Sequence, residues 1–253
     1  MSWFEHGASK IYYEEEGSGD PVLLLPGWGG TIEEFSSLRA VLKAKFKVIA
    51  ADLPGCGKSE PQPREYTAMY FHDDAGSFLA LLDHLGAVPA HVVGFSDGGE
   101  YALVMAIFKP NATRSIVTWG SAGTLVEPMP GMLDAMYNLI DSPIEPLQEF
   151  SEYLKATYGE ANARAMAQSE SKALRAIIDA GGDISRARAG EIACPALLIT
   201  GEQDFFAPPP LVSEMASAIP GGAFVEAKGA GHDVHNAQPE WLASTVVDWL
   251  SKH

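Results

Sequence analysis

Cysteine is nearly absent from this chain of 253 residues, where only Cys56 and Cys194 occur. Two thiols give no disulfide framework and no metal-finger spacing, and we expect them to be reduced in a cytoplasmic protein. Positive charge is scarce as well. The 17 Lys and Arg are outnumbered by 33 Asp and Glu, for a formal net charge of −16. That balance argues against nucleic acid as a partner, because such binding rests on neutralising phosphates. An acidic surface mainly keeps a protein dispersed, and it can also steer cationic ligands. No apolar run approaches the roughly 18 residues of a membrane span. Met1-Ser-Trp-Phe-Glu-His-Gly7 lacks the basic region and apolar stretch of a signal peptide, so none is expected. Repeats and low-complexity tracts are missing. What is present is a 47% apolar chain, long enough to bury a large core, which we expect to form one domain over residues 1–253.

The stretch that organises it is His91-Val-Val-Gly-Phe-Ser-Asp-Gly-Gly99. A short apolar run, Val92-Val93, stops at Gly94-Phe95-Ser96-Asp97-Gly98, and a helix-compatible run follows from Glu100 to Lys109. The pentapeptide fits G-x-S-x-G, a turn that holds a serine in a cramped backbone between strand and helix. Gly94 and Gly98 carry no Cβ and so leave room for it. A helix N-terminus beside Ser96 favours developing negative charge. Alone, the pattern is also an ordinary turn; its flanking strand and helix, and the residues downstream, raise its weight.

In chain order, Lys10–Glu16 reads as an edge strand closed by Gly17-Ser-Gly-Asp20, and Pro21–Gly27 as a buried central strand with its exit turn. Phe35, Leu38, Val41 and Leu42 have helical spacing within Thr31–Phe46, and Thr31 with Glu34 resembles a capping box. Lys47–Gly55 is the next strand and turn. Thr67–Leu85 is helical, with Phe71, Phe78, Leu81 and Leu82 on one face, and Arg114–Gly120 is again a strand. Strands alternating with such helices imply a parallel sheet covered on both faces. The rhythm breaks over residues 121–188, where helical patterns at Leu147–Tyr158 and Ala161–Ile178 suggest an inserted helical lid. It resumes with Pro195–Gly201, Gly222–Ala227 and a last helix from Pro239 to Ser251.

A serine hydroxyl needs a general base and a group that orients the base. Gly201-Glu-Gln-Asp204 follows one predicted strand and Gly229-Ala-Gly-His232 follows the last, so Ser96, Asp204 and His232 stand in the chain order this chemistry uses. In that reading His232 accepts the serine proton and Asp204 fixes the imidazole tautomer. Glu202 is an alternative acid in the same turn; Asp233 is badly placed for its neighbour's ring. His235 makes a His-x-x-His pair with His232 but finds no third ligand, so no metal is expected. His6, His72, His84, His91 and His253 read as surface or helix residues. The oxyanion requires preorganised donors, and we assign the backbone N–H groups of Asp97 and of Trp28, in the turn Pro26-Gly-Trp-Gly-Gly30. Gly55-Cys-Gly-Lys-Ser59 imitates the end of a phosphate-binding loop, but Asp52 stands where that motif needs glycine. No cofactor is expected.

Together these motifs resemble the α/β-hydrolase family along nearly the whole chain. The resemblance implies a mostly parallel eight-stranded sheet with helices on both faces and an inserted lid. Leu-Leu-Leu-Pro-Gly27, Gly-Phe-Ser-Asp-Gly-Gly99 and Trp119-Gly120 are similar, more narrowly, to the valacyclovir hydrolase (biphenyl hydrolase-like) group of serine esterases. That group has Pro, as at Pro26, where many relatives have His. The resemblance implies a small-molecule ester as substrate, no cofactor, and activity on esters of α-amino acids. It also implies that the Asp97 carboxylate receives a substrate ammonium, against the plainer reading in which Asp97 supplies only its backbone. Carbon–carbon bond hydrolases, cofactor-free perhydrolases and non-catalytic small-molecule-binding proteins share the fold and remain the alternatives. Whether the chain is a monomer or a homodimer stays open.

Overall fold

The computed structural model describes residues 2–253, apart from the side chains at 145 and 146. The strands in chain order are β1 (Ser2–His6), β2 (Ser9–Gly17), β3 (Pro21–Leu25), β4 (Lys47–Ala51), β5 (Ala90–Phe95), β6 (Thr113–Trp119), β7 (Ala196–Gly201) and β8 (Gly222–Ala227). They form one eight-stranded sheet in the order β1-β2-β4-β3-β5-β6-β7-β8. The β1/β2 and β2/β4 pairs are antiparallel and the other pairs parallel. The helices are α1 (Ser36–Leu42), α2 (Tyr70–His84), α3 (Asp97–Phe108), α4 (Met132–Tyr137), α5 (Glu145–Tyr158), α6 (Glu160–Asp179), α7 (Pro209–Ala218), α8 (Val234–Ala237) and α9 (Pro239–Leu250).

The continuous apolar runs follow from burial on both sides of the sheet. Successive side chains point to opposite faces. In β3, Val22 and Leu24 join a core with Leu38 and Leu42 of α1 and Leu242 and Val246 of α9. Leu23 and Leu25 join a second core with Phe78 and Leu82 of α2 and Leu103 of α3. Each such side chain removed from water stabilises the fold by roughly 1.5–3 kcal/mol. Between β6 and β7 the chain leaves the sheet and builds α4–α6. The expected stretches Leu147–Tyr158 and Ala161–Ile178 fall inside α5 and α6.

Three expectations are corrected. The segment Lys10–Glu16 is not an edge strand, because β1 pairs outside it. β1 gave little signal: Trp3 is 49% exposed, so the strand carries no full apolar alternation. The capping box at Thr31 does not close. Thr31 accepts from the Glu33 N–H at 3.3 Å and starts a 3₁₀ turn, Ile32–Phe35, while Glu34 faces His235. His91 is neither a surface nor a helix residue. It is 1% exposed on β5, 2.8 Å from the Ser115 hydroxyl on β6, and burial pushes its imidazole down to about 4.

Candidate active site

Ser96 follows β5 directly and precedes the first residue of α3. It is the one non-glycine residue with positive φ (50°) among the described residues. The turn is held from both sides: the Ser96 N–H donates to the Trp119 carbonyl at 2.9 Å, and the Ser121 hydroxyl donates to the Ser96 carbonyl at 2.8 Å. Its glycines are steric necessities. A Cβ on Gly94 would lie 2.2 Å from the Gly98 carbonyl oxygen, and one on Gly98 2.3 Å from that of Leu25. The same close approach brings the β3 exit turn against the serine, since a Cβ on Gly27 would touch the Ser96 side chain at 3.4 Å.

The ends of β7 and β8 bring the other two groups. Gly201 packs so tightly on the 230–231 backbone that a Cβ there would fall 2.1 Å from the Gly231 oxygen. His232 Nε2 lies 3.2 Å from Ser96 Oγ, and its Nδ1 lies 2.8 Å from Asp204 Oδ2. Asp204 is 3% exposed, and its Oδ1 accepts the N–H groups of Phe206 and Ala207 at 2.9 and 3.0 Å. The rings of Phe95 and Phe206 flank the imidazole. Gly120, at φ +69°, makes room for it; a Cβ there would strike His232 Cε1 at 2.7 Å. Burial disfavours the imidazolium, but the hydrogen bond and charge of Asp204, aided by Asp233 and Glu34, outweigh it and hold His232 above the usual histidine value.

Glu202 turns away from the imidazole, accepting the Gly229 N–H at 2.9 Å. Asp233 is exposed. His235 is buried beside the site rather than in it: its Nδ1 accepts from Trp119 Nε1 at 3.1 Å. In the turn after β3, the Gly29 N–H donates to Cys56 Sγ at 3.3 Å and the Gly30 N–H to the Gly27 carbonyl at 3.0 Å. The N–H of Trp28, like that of Asp97, finds no acceptor among the described residues. The turn is also stitched to α5. The Tyr158 hydroxyl donates to the Gly29 carbonyl and accepts the Gly57 N–H, both at 2.8 Å. That second bond, with Lys58 N–H on Asp52 at 2.7 Å, uses the donors of the loop that imitates a phosphate cradle.

These groups open on a cavity of about 950 Å³ whose far wall comes from α4–α6, including Leu133, Phe150 and Leu174. Sequence reasoning missed two of its buried polar residues, Glu100 and Glu170, and Tyr70 behind Asp97. Tyr70 donates to Asp97 Oδ2 at 3.0 Å, Glu100 accepts the Ala122 and Gly123 N–H groups at 2.9 and 3.0 Å, and Glu170 projects from α6. Burial pushes Asp97 up to about 7 and Glu100 to about 8. Glu170 had a readable signal, an acid within the apolar stripe of its helix.

A mostly parallel sheet with a serine elbow at the end of its central strand defines a class of hydrolytic enzyme. The chain belongs to the alpha/beta hydrolase family, whose model matches residues 22–245. It is 31% identical over 207 residues to the human serine hydrolase BPHL, covering 79% of this chain and 68% of that one. It is 29% identical over 242 residues to the pimeloyl-[acyl-carrier protein] methyl ester esterase of Chromobacterium violaceum, covering 88% and 91%. The enol-lactonase of Burkholderia xenovorans LB400 superposes with a TM-score of 0.80 at 23% identity, covering 99% of this chain and 100% of that one, a likeness of fold.

Proposed function

We propose that this hydrolase cleaves carboxylic esters through an acyl-enzyme on Ser96, that esters of α-amino acids are its preferred substrates, and that residues 121–188 serve as the lid over the pocket. The observation that carries the proposal is the continuous line from Ser96 Oγ through His232 to Asp204, at 3.2 and 2.8 Å. His232 Nε2 takes the Ser96 proton as Oγ bonds to the ester carbonyl carbon. The N–H groups of Trp28 and Asp97 stabilise the oxyanion. His232 returns the proton to the departing alcohol, and water repeats the sequence to free the acid. Asp204 fixes the Nδ1–H tautomer and stabilises the imidazolium. The amino-ester preference is supported by the kinship with human BPHL and by the cavity lining. Apart from Tyr153 and His232, its ionisable side chains are all acids, among them Asp97 beside the nucleophile.

Rapid mixing with p-nitrophenyl butyrate should show a stoichiometric burst of p-nitrophenol, followed by steady turnover. An unblocked valine or phenylalanine ester should have a kcat/KM at least tenfold above that of its N-acetyl form. Absence of both burst and turnover would turn the reading toward carbon–carbon hydrolysis or ligand binding. Turnover with equal rates on the two amino-acid esters would leave a general carboxylesterase.

The pH profile offers a second check. Only neutral His232 accepts the serine proton, so kcat/KM on p-nitrophenyl butyrate should rise with pH through a midpoint above the ordinary histidine value of about 6.5. Asp204→Asn removes the principal raising influences, so the residual activity of that variant should show its midpoint at lower pH. A wild-type midpoint below 6 would contradict the assignment of His232 as the base.

A further inference from the structure

An acid occupies a place in α6 that the helix pattern assigns to an apolar residue. Ala163, Met166, Ala167, Leu174 and Ile177 make the buried stripe of this helix, and Glu170 stands in its middle, 3% exposed. The helix is fixed there because the Tyr66 N–H donates to the neighbouring Ser169 hydroxyl at 2.8 Å. Glu170 Oε2 has no hydrogen-bond partner among the described residues, and the side chain lines the cavity. An unpaired buried carboxyl is costly, by several kcal/mol if ionised. Such a group calls for a partner outside the chain, such as a ligand, an ion or water, or for a catalytic role.

Asp97, in the same cavity, is the natural companion. Its side chain has one hydrogen bond, from Tyr70, and the charges of Asp97 and Glu170 each bear on Tyr70. Burial, reinforced by the Asp97 charge, also holds the Glu170 carboxyl well above the usual carboxylate range. The Arg64 charge favours the Asp97 carboxylate only in part, since its guanidinium is committed to Asp74 at 2.6 and 2.8 Å, and it does not bear on Glu170. No Lys or Arg lines the cavity among the described residues. Two buried carboxyls with spare acceptor capacity and no internal cation form a receptor for a cation with several N–H donors. The α-ammonium of an amino-acid ester lies two bonds from the carbonyl carbon, and Asp97 is the residue next to the nucleophile in the same cavity.

We infer that Glu170, reaching down from the lid helix, is a specificity-determining residue that seats the substrate α-ammonium jointly with Asp97. The inference rests on the amino-ester reading above and extends it to the lid. Glu170→Gln keeps the shape of the side chain but removes its ability to become a carboxylate facing a bound ammonium, and puts an NH2 group where an acceptor oxygen stood. The kcat/KM ratio of an unblocked phenylalanine ester to its N-acetyl form should fall at least tenfold in that variant, the loss of one charge-assisted contact of about 1.4 kcal/mol. Glu170→Asp should recover part of it. A structural role would lower both substrates together and leave the ratio unchanged.

The seat can also be probed without an amino-acid ester. n-Pentylammonium chloride should compete with p-nitrophenyl butyrate in the wild type, and its inhibition constant should rise at least tenfold in Glu170→Gln. A folded Glu170→Gln enzyme with unchanged ratio and unchanged amine inhibition overturns the inference, as does a wild-type enzyme that the amine does not inhibit. Amine inhibition that depends on Glu170, in an enzyme with no preference for free-amine esters, upholds the seat and refutes the amino-ester reading alone.

Discussion

Ser96→Ala is expected to lower kcat on p-nitrophenyl butyrate by about 10⁵–10⁶-fold and to abolish the burst, with KM changed only a few-fold. The size follows from the geometry. Ser96 is the group aimed at the cavity from the elbow, and its hydroxyl is 3.2 Å from the imidazole that would activate it. Without the hydroxyl, what remains is water attacking a carbonyl polarised by two backbone N–H groups, which leaves roughly 10³-fold over solution. His232→Ala should be as damaging, and the double variant no worse than either single one, because the two act as one unit. Asp204→Asn should cost less, about 10⁴-fold, since the base survives in the wrong tautomer. Glu202→Gln should stay within twofold of wild type, as its carboxylate holds the Gly229 N–H instead. Steady-state assays of the four purified variants and the double one check the set. A Ser96→Ala loss under about 100-fold would point to another nucleophile.

The second large effect falls on the frame of the site. In Gly98→Ala the new methyl group would sit 2.3 and 2.5 Å from the carbonyl oxygens of Leu25 and Pro26. Both are backbone atoms at the end of a strand paired on each side, so neither can swing aside as a long side chain would. Overpacking of this kind costs about 1–3 kcal/mol, which for a chain of this size lowers Tm by roughly 2–12 °C. Relief comes only if the β3 exit turn moves away from α3, and that motion separates the Trp28 and Asp97 N–H groups. Loss of one such donor costs about 10²–10³ in kcat. We therefore expect Gly98→Ala to melt earlier and, where still folded, to turn over p-nitrophenyl butyrate about 100-fold more slowly. Calorimetry with activity measured at 15 °C separates the two losses. A variant as active and as stable as wild type would show that the elbow tolerates the methyl.

The central strands, the elbow and the chain order of Ser96, Asp204 and His232 were legible because each is encoded locally. An apolar run between breakers or a glycine that permits one backbone contact can be read within a few residues. β1 was not legible, since its pairing with β2 is decided across a turn and its outward Trp3 mimics a loop residue. His91 was misplaced for a related reason. A histidine beside an apolar run looks terminal until Ser115, from a different strand, supplies its partner. Thr31 and Glu34 satisfy a capping pattern, yet the 3₁₀ turn and the pull of His235 divert them. Glu170 lies between these cases: its place in the apolar stripe was visible, but that it shares a cavity with Asp97 depends on how α6 lies over the sheet.

The Tyr158 hydroxyl ties the helix that walls the substrate cavity to the turn carrying the Trp28 N–H. The wall and the turn are therefore not interchangeable parts. A segment 121–188 taken from a relative with phenylalanine or leucine at that place would leave the buried Gly29 carbonyl unpaired and the Gly57 N–H without its partner, and the turn free to drift. Retuning substrate choice by exchanging residues 121–188 would then slow every substrate alike, unless the tyrosine travels with the graft. Under the proposed esterase reading, selectivity and speed would be inherited together.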